Sequence, residues 1–286
     1  MSERTLRLDD GRALALGERT SAGSKNETRY GALSDGQGVV VKIEGVHGRL
    51  SRERIALSFA REHGVPVPSL VGEGRTSEGQ LFLVLSQEDG IRATVPSGWY
   101  RLGRDLATLA GVPIDGCPLP RVSPCEFAQD HRNRLGVVES TLDAPVVRRI
   151  HVAIERIGHV EPLTLTHGDP GSGNYLDNGE GGVILDWENA TIAPFGVDIG
   201  RAAFIALMDL GHTGVAADLH AAVVRGYRDG LRGHSKLSEE LLAASIVVAG
   251  LQFIHGRFVR PLRSERTPRA AAAVLDSYLA MDATYP

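Results

Sequence analysis

Two neighbouring segments constrain this chain more than any others. The first is Leu165-Thr166-His167-Gly168-Asp169-Pro170-Gly171-Ser172-Gly173-Asn174, and the second is Val183-Ile184-Leu185-Asp186-Trp187-Glu188. The first spaces its polar residues as His-x-Asp-x-x-x-x-Asn behind a short apolar run. The second sets an Asp at the end of a strand-like run. Asn174-Tyr175-Leu176 and Val183-Ile184-Leu185 read as two short strands around the turn Asp177-Asn178-Gly179-Glu180-Gly181-Gly182,. Such a hairpin brings Asn174 and Asp186 to the same end. Magnesium takes hard oxygen ligands, few of them from protein, so one Asn and one Asp form a suitable pair. Asp169 is then left to accept a proton from an alcohol.

The His-x-Asp-x-x-x-x-Asn spacing is that of catalytic loops in phosphoryl transfer. That reading requires a lysine upstream to hold phosphates. Val39-Val40-Val41-Lys42-Ile43 supplies one, embedded in a β-branched run. A lysine inside an apolar strand must reach solvent or a partner. Its position matches the strand lysine of kinases, which pairs with nucleotide phosphates and with a helix glutamate. A helix is expected over residues 51–63, with Ser51 as N-cap and Gly64 as its stop. Glu53 and Glu62 are the two candidate partners for Lys42. Upstream, Ser21-Ala22-Gly23-Ser24-Lys25-Asn26 is a polar loop between expected strands. It can fold over phosphates and donate backbone N–H groups, with Ser24 as its candidate residue. Leu81-Phe82-Leu83-Val84-Leu85 reads as a buried strand, and Ser86-Gln87-Glu88-Asp89-Gly90 as the hinge after it, where backbone groups can hold a base.

The chain of 286 residues is long enough for two lobes with a sizeable core,. A net charge of -4 leaves no general basic surface for nucleic acid,. No apolar run in the sequence reaches membrane-spanning length, and the charged N-terminus has no signal-peptide pattern. The expectation is a soluble cytoplasmic protein, monomeric or homodimeric. Its two cysteines, Cys117 and Cys125, are expected to be free thiols, Cys117 as a buried packing residue,. Further helices are expected over 100–109, 126–135, 144–157, 201–210, 219–230, 238–258 and 268–281, with a strand over 163–166. Asp198, just ahead of the 201–210 helix, is expected to be an N-cap or an anchor for the His167 loop.

Taken in order, Lys42, Arg52-Glu53, the 85–90 hinge, His167-Gly168-Asp169 through Asn174, and Asp186-Trp187-Glu188 resemble the aminoglycoside phosphotransferase family. The likeness runs over about residues 10–210, and the segment 109–118, ending Cys117-Pro118, looks like the connector of the kanamycin-modifying branch. The resemblance implies an α+β, two-lobed, protein-kinase-like fold. Residues 1–87 would form a small β-rich lobe with one main helix, and 88–286 a larger, mostly helical lobe. It implies Mg2+ and ATP or GTP as phosphate donor, with a small-molecule hydroxyl as acceptor. In the catalytic loop, Asp169 would orient the acceptor hydroxyl and take its proton, while His167 braces the loop. Asn174 and Asp186 would bind the metal. Lys42, positioned by Glu53, would hold phosphates. The backbone around Ser86 and Gln87 would hold the purine, and Asp198 would tie the loop to the core.

The implied substrate is an antibiotic such as an aminoglycoside, with resistance as the outcome. After Asp198 the chain carries ten Arg or Lys against eight Asp or Glu, whereas a polycationic acceptor favours an acidic pocket,. Three other readings follow. One is a metabolic kinase for homoserine, choline or a sugar. Another is a nucleotide-binding protein without transfer activity. The third is a metal-dependent hydrolase built on His167, Asp169 and Asp186.

Overall fold

The computed structural model describes residues 5–20, 26–46, 48–208, 216–231, 236–259 and 268–281. The first lobe is a six-stranded antiparallel sheet in the order β1-β2-β3-β4-β6-β5. Its strands are β1 (Thr5–Arg7), β2 (Ala13–Arg19), β3 (Glu27–Leu33), β4 (Gly38–Ile43), β5 (Leu70–Arg75) and β6 (Leu81–Ser86), with helix α1 (Leu50–Glu62) between β4 and β5. Side chains alternate between the two faces of a strand. In β4, Val39, Val41 and Ile43 join Leu14, Leu16, Leu33, Phe82 and Val84 in a core enclosed by the curled sheet. Leu83 and Leu85 of β6 belong to a second core with α1 and the C-terminal helices. Covered on both faces, β6 reads as an unbroken apolar run.

Helix α1 starts one residue before its expected position. Ser51 is inside the helix and exposed; Arg49 is the cap residue and offers no side-chain cap. The first turn is capped instead by Glu44, whose Oε1 accepts from Leu50 N at 3.1 Å. Gly64 stops the helix with φ +75°, a left-handed conformation suited to glycine,.

The second lobe has α2 (Pro96–Ala110), α3 (Pro124–Val138), α4 (Ala144–Ile157), α5 (Val197–Met208), α6 (Ala216–Gly230), α7 (Glu239–Val259) and α8 (Pro268–Met281). Two small antiparallel sheets sit at its upper edge. Strand β7 (Ile91–Arg92) pairs with β9 (Tyr175–Asp177), which pairs with β10 (Gly182–Ile184). The other sheet joins β8 (Leu163–Thr166) and β11 (Thr191–Pro194). Helix α5 begins at Val197, four residues before the expected start. Asn174 ends a 3-10 turn, Ser172–Asn174, rather than opening the strand. Helix α7 is long and apolar enough to cross a membrane by length and composition, yet 61% of its apolar window is buried inside the protein. Cys117 is buried, Cys125 is exposed, and both are free thiols.

Polar contacts bind the β9 strand to α2. Tyr175 Oη donates to Asp105 at 2.6 Å, and Arg101 grips Asp177 with two N–H groups, at 2.7 and 2.6 Å. Burial pushes the Asp105 carboxyl up to about 6, against the lowering effect of the Tyr175 bond. The native state therefore binds a proton that the unfolded chain has lost, in the window between about 4 and 6. Stability should fall by about 2–3 kcal/mol as pH rises through that window because of this group. Urea unfolding at pH 4.5 and 7.5 checks it: Asp105→Asn should flatten the difference, and an unchanged pH dependence would contradict the assignment.

Candidate active site

The site is built where β4, α1, the loop after β8 and the segment after β10 converge. Val40 and Lys42 point away from the enclosed sheet core, toward α1. A one-residue slip of β4 would turn Lys42 into that core. Lys42 Nζ lies 2.6 Å from Glu53 Oε1 and 2.8 Å from Asp186 Oδ1. The Glu53 side chain is fully buried, and the same oxygen accepts from Trp187 N at 3.3 Å. Glu62, the rival partner, is exposed. Burial alone would lower the Lys42 ammonium, but Glu53 and Asp186 outweigh it and hold it above its ordinary value. Asp186 adopts φ 65° and ψ 64°, the sole non-glycine residue with positive φ among the described residues. A non-glycine residue in the left-handed region costs energy and is a frequent mark of functional sites.

The His167 loop is held from several sides. Asp198, in the first turn of α5, accepts from His167 N at 2.6 Å and Gly168 N at 3.0 Å. Burial pushes the Asp198 carboxyl up, opposed by His167 and by these two bonds. His167 is fully buried, donates from Nε2 to Leu185 O at 2.8 Å, and stacks edge-on against Trp187. Its Nδ1 accepts from Asp169 N at 3.3 Å. His167 thus fixes backbone and does not face the cleft. Gly168 has φ +81°, and a Cβ there would lie 2.6 Å from Asn189 O, so the loop requires glycine,.

Asn174 donates from Nδ2 to Asp169 O at 3.0 Å, and its own carbonyl accepts from Leu185 N at 2.8 Å. This places Asn174 beside the residue that precedes Asp186, at one end of the β9–β10 hairpin. Asp169 keeps 35% of its side chain exposed and pairs with Arg201, whose Nε lies 2.8 Å from Oδ1.

Other candidates fall differently. Ser24 lies outside the described residues. Ser86 N donates to Ser69 O, and Ser86 Oγ accepts from Ser69 N and donates to Glu88, so its N–H and hydroxyl are committed to the strand edge. Gln87 is exposed at the start of the linker between the lobes. Reading the sequence did not single out Arg201 or Asn26. Asn26 is buried, and its Nδ2 donates to Glu188 Oε2 at 2.7 Å, joining the end of the polar loop to the Asp186 segment. No local pattern marks either residue, because each meets its partner only in the folded chain. Among the described residues no three His, Cys, Asp or Glu side chains converge as a metal cage, which the hydrolase reading needs,.

A model described as the phosphotransferase enzyme family matches residues 18–238. No curated protein matches the chain in sequence. Among solved structures, an aminoglycoside phosphotransferase, APH(4)-Ia, in ternary complex with ADP and hygromycin B superposes with TM-score 0.66 at 14% identity, covering 94% of each chain. A choline/ethanolamine kinase family protein from Mesorhizobium loti gives TM-score 0.63 at 20% identity, covering 92% of this chain and 87% of its own. A macrolide 2'-phosphotransferase from Brachybacterium faecium gives 0.59 at 16% identity, covering 92% of each chain. At these identities the likeness establishes the two-lobed α+β kinase-like fold.

The buried pair gives a stability prediction. Lys42→Met leaves Glu53 buried beside apolar atoms, which should cost about 3–5 kcal/mol. Adding Glu53→Gln removes the stranded charge and should recover much of that loss. Urea denaturation of the single and double variants decides it; additive losses would contradict the pairing.

Proposed function

The chain belongs to the phosphotransferase enzyme family, and from that premise we propose that it transfers the γ-phosphate of ATP or GTP to a hydroxyl of a small molecule, with magnesium. The observation that carries this is the convergence of Lys42, Asp186, Asn174 and Asp169 at one point between the lobes. The nucleotide would sit between the sheet lobe, residues 1–87, and the helical lobe, residues 88–286. The purine would lie against the linker, held by peptide groups around Ser86 and Gln87, where the Ser86 N–H is already bonded to Ser69. Lys42 would hold the phosphates, kept charged and aimed by Glu53.

The donor set suits Mg2+. Asn174 commits its amide N–H to Asp169 O, which leaves an amide oxygen as ligand, and Asp186 keeps 38% of its side chain exposed. Bound there, the ion would neutralise charge on the phosphates. Asp169 would align the acceptor hydroxyl and take its proton. Catalysis of this kind rests on positioning and charge, since phosphoryl transfer asks little covalent chemistry of the protein.

For the acceptor, an antibiotic of the aminoglycoside or a related class fits the family, and the macrolide and hygromycin B proteins show how widely acceptors vary on this fold. A second reading is a metabolic alcohol such as choline, homoserine or a sugar, of which Arg201 favours the sugar, the one without an ammonium. A guanidinium beside the reacting hydroxyl disfavours an acceptor ammonium at that spot.

The test measures ADP or GDP release with magnesium and each nucleotide, over hygromycin B, kanamycin, a macrolide, choline and homoserine. Acceptor-dependent release is expected. Asp169→Asn should lower turnover by about 100-fold or more while nucleotide affinity stays nearly unchanged. Normal turnover in that variant would sink the proposal.

A further inference from the structure

Helix α5 touches the catalytic loop twice, through residues three apart and so on one helical face. Asp198 takes the backbone N–H groups of His167 and Gly168. Arg201 takes the side chain of Asp169: both Nε and Nη2 reach Oδ1, the Nε contact at 2.8 Å. Arg201 does not hang free at its other end. Its Nη1 donates to Gln252 Oε1 at 3.4 Å, and Gln252 Nε2 donates to His131 Nε2 at 2.8 Å. His131 Nδ1 donates in turn to Phe127 O at 2.7 Å.

Each link fixes the next. The Phe127 carbonyl can only accept, so the His131 proton sits on Nδ1 and Nε2 is an acceptor. Burial pushes His131 down to about 4, so it remains neutral near pH 7 and keeps that acceptor. An acceptor there turns the Gln252 amide N–H toward it, and the amide oxygen toward Arg201. The chain crosses α3, α7 and α5 and ends on the carboxylate.

Resting on the phosphotransferase reading above, we propose that Arg201 is the positioning residue of Asp169, fixing Oδ1 so that Oδ2 meets the acceptor hydroxyl. In the step this serves, the hydroxyl O–H bond breaks and its proton passes to Oδ2. The oxygen bonds to the γ-phosphorus, and the bond from that phosphorus to the nucleoside diphosphate breaks. A carboxylate free to rotate would present either oxygen in many orientations. The two-point guanidinium grip removes that freedom, and lysine, a single point charge, reproduces it only in part.

Two measurements test this. Turnover is read with MgATP and whichever panel compound gives the fastest release. Arg201→Gln should lower kcat by about 100-fold, with KM for ATP within about twofold. Arg201→Lys should recover about tenfold of that loss. An unchanged kcat in Arg201→Gln, or a loss shared by the ATP KM, would overturn the proposal. The second measurement needs no acceptor. The 15N–1H resonance of Arg201 Nε, identified by its loss in Arg201→Lys, should move in Asp169→Asn and broaden in Gln252→Leu. Gln252→Leu leaves both ends of the grip in place, so it reads the relay even where Arg201 variants fold poorly. A resonance indifferent to both changes would overturn the proposal. A silent panel with a responsive resonance would strike the transfer reading and leave the grip standing.

Discussion

The arrangement depends on one buried ion group: Lys42 of β4 held between Glu53 of α1 and Asp186 after β10. Removing charges from water is expensive, and mutual attraction compensates only when the geometry is good. Three separate parts of the chain must therefore be correct together. Strand β4 must keep its register, α1 must turn Glu53 inward, and the chain after β10 must hold Asp186 in a left-handed conformation. The bond from Trp187 N to Glu53 ties the third of these to the second. Stability and the proposed function are joined here, because the ion group that links β4, α1 and the segment after β10 is also the one proposed to hold phosphates.

Around this group the rest of the site is backbone engineering. His167 and Asp198 present no reactive atom to the cleft; they hold amides and carbonyls so that the loop carrying Asp169 has one shape. Gly168 permits the turn, and Asn174 closes the far side of the loop through the Asp169 carbonyl. Asn26 extends the same logic into the first lobe, since its bond to Glu188 joins the polar loop to the Asp186 segment. A reaction governed by position rather than covalent chemistry needs this kind of support.

What could be read from the sequence was whatever is local. A lysine within a β-branched run, a His-Gly-Asp to Asn spacing, and an Asp closing an apolar strand are short patterns, and each lies at the site. The helices α4, α7 and α8 sit within one residue of where the sequence places them. Elsewhere tertiary partners decided. Ser51 looks like a cap, but Glu44 reaches the first turn of α1 before it, so the helix starts at Leu50. Helix α5 starts early because Asp198 is drawn into its first turn to meet the His167 loop. Arg201, Gln252 and His131 carry no motif at all. Arg201 is 32 residues from Asp169, and Gln252 is 121 from His131, so only the folded chain joins them.

This ion group and Asn174 are proposed to form together a site for metal-bound nucleotide phosphates. Calorimetric titration of ATP into the protein, with and without magnesium, tests it most directly when repeated on Asp186→Asn. Magnesium should tighten ATP binding about tenfold or more in the parent protein and give no such gain in the variant. Equal affinity with and without magnesium, or the same gain in both proteins, would contradict it.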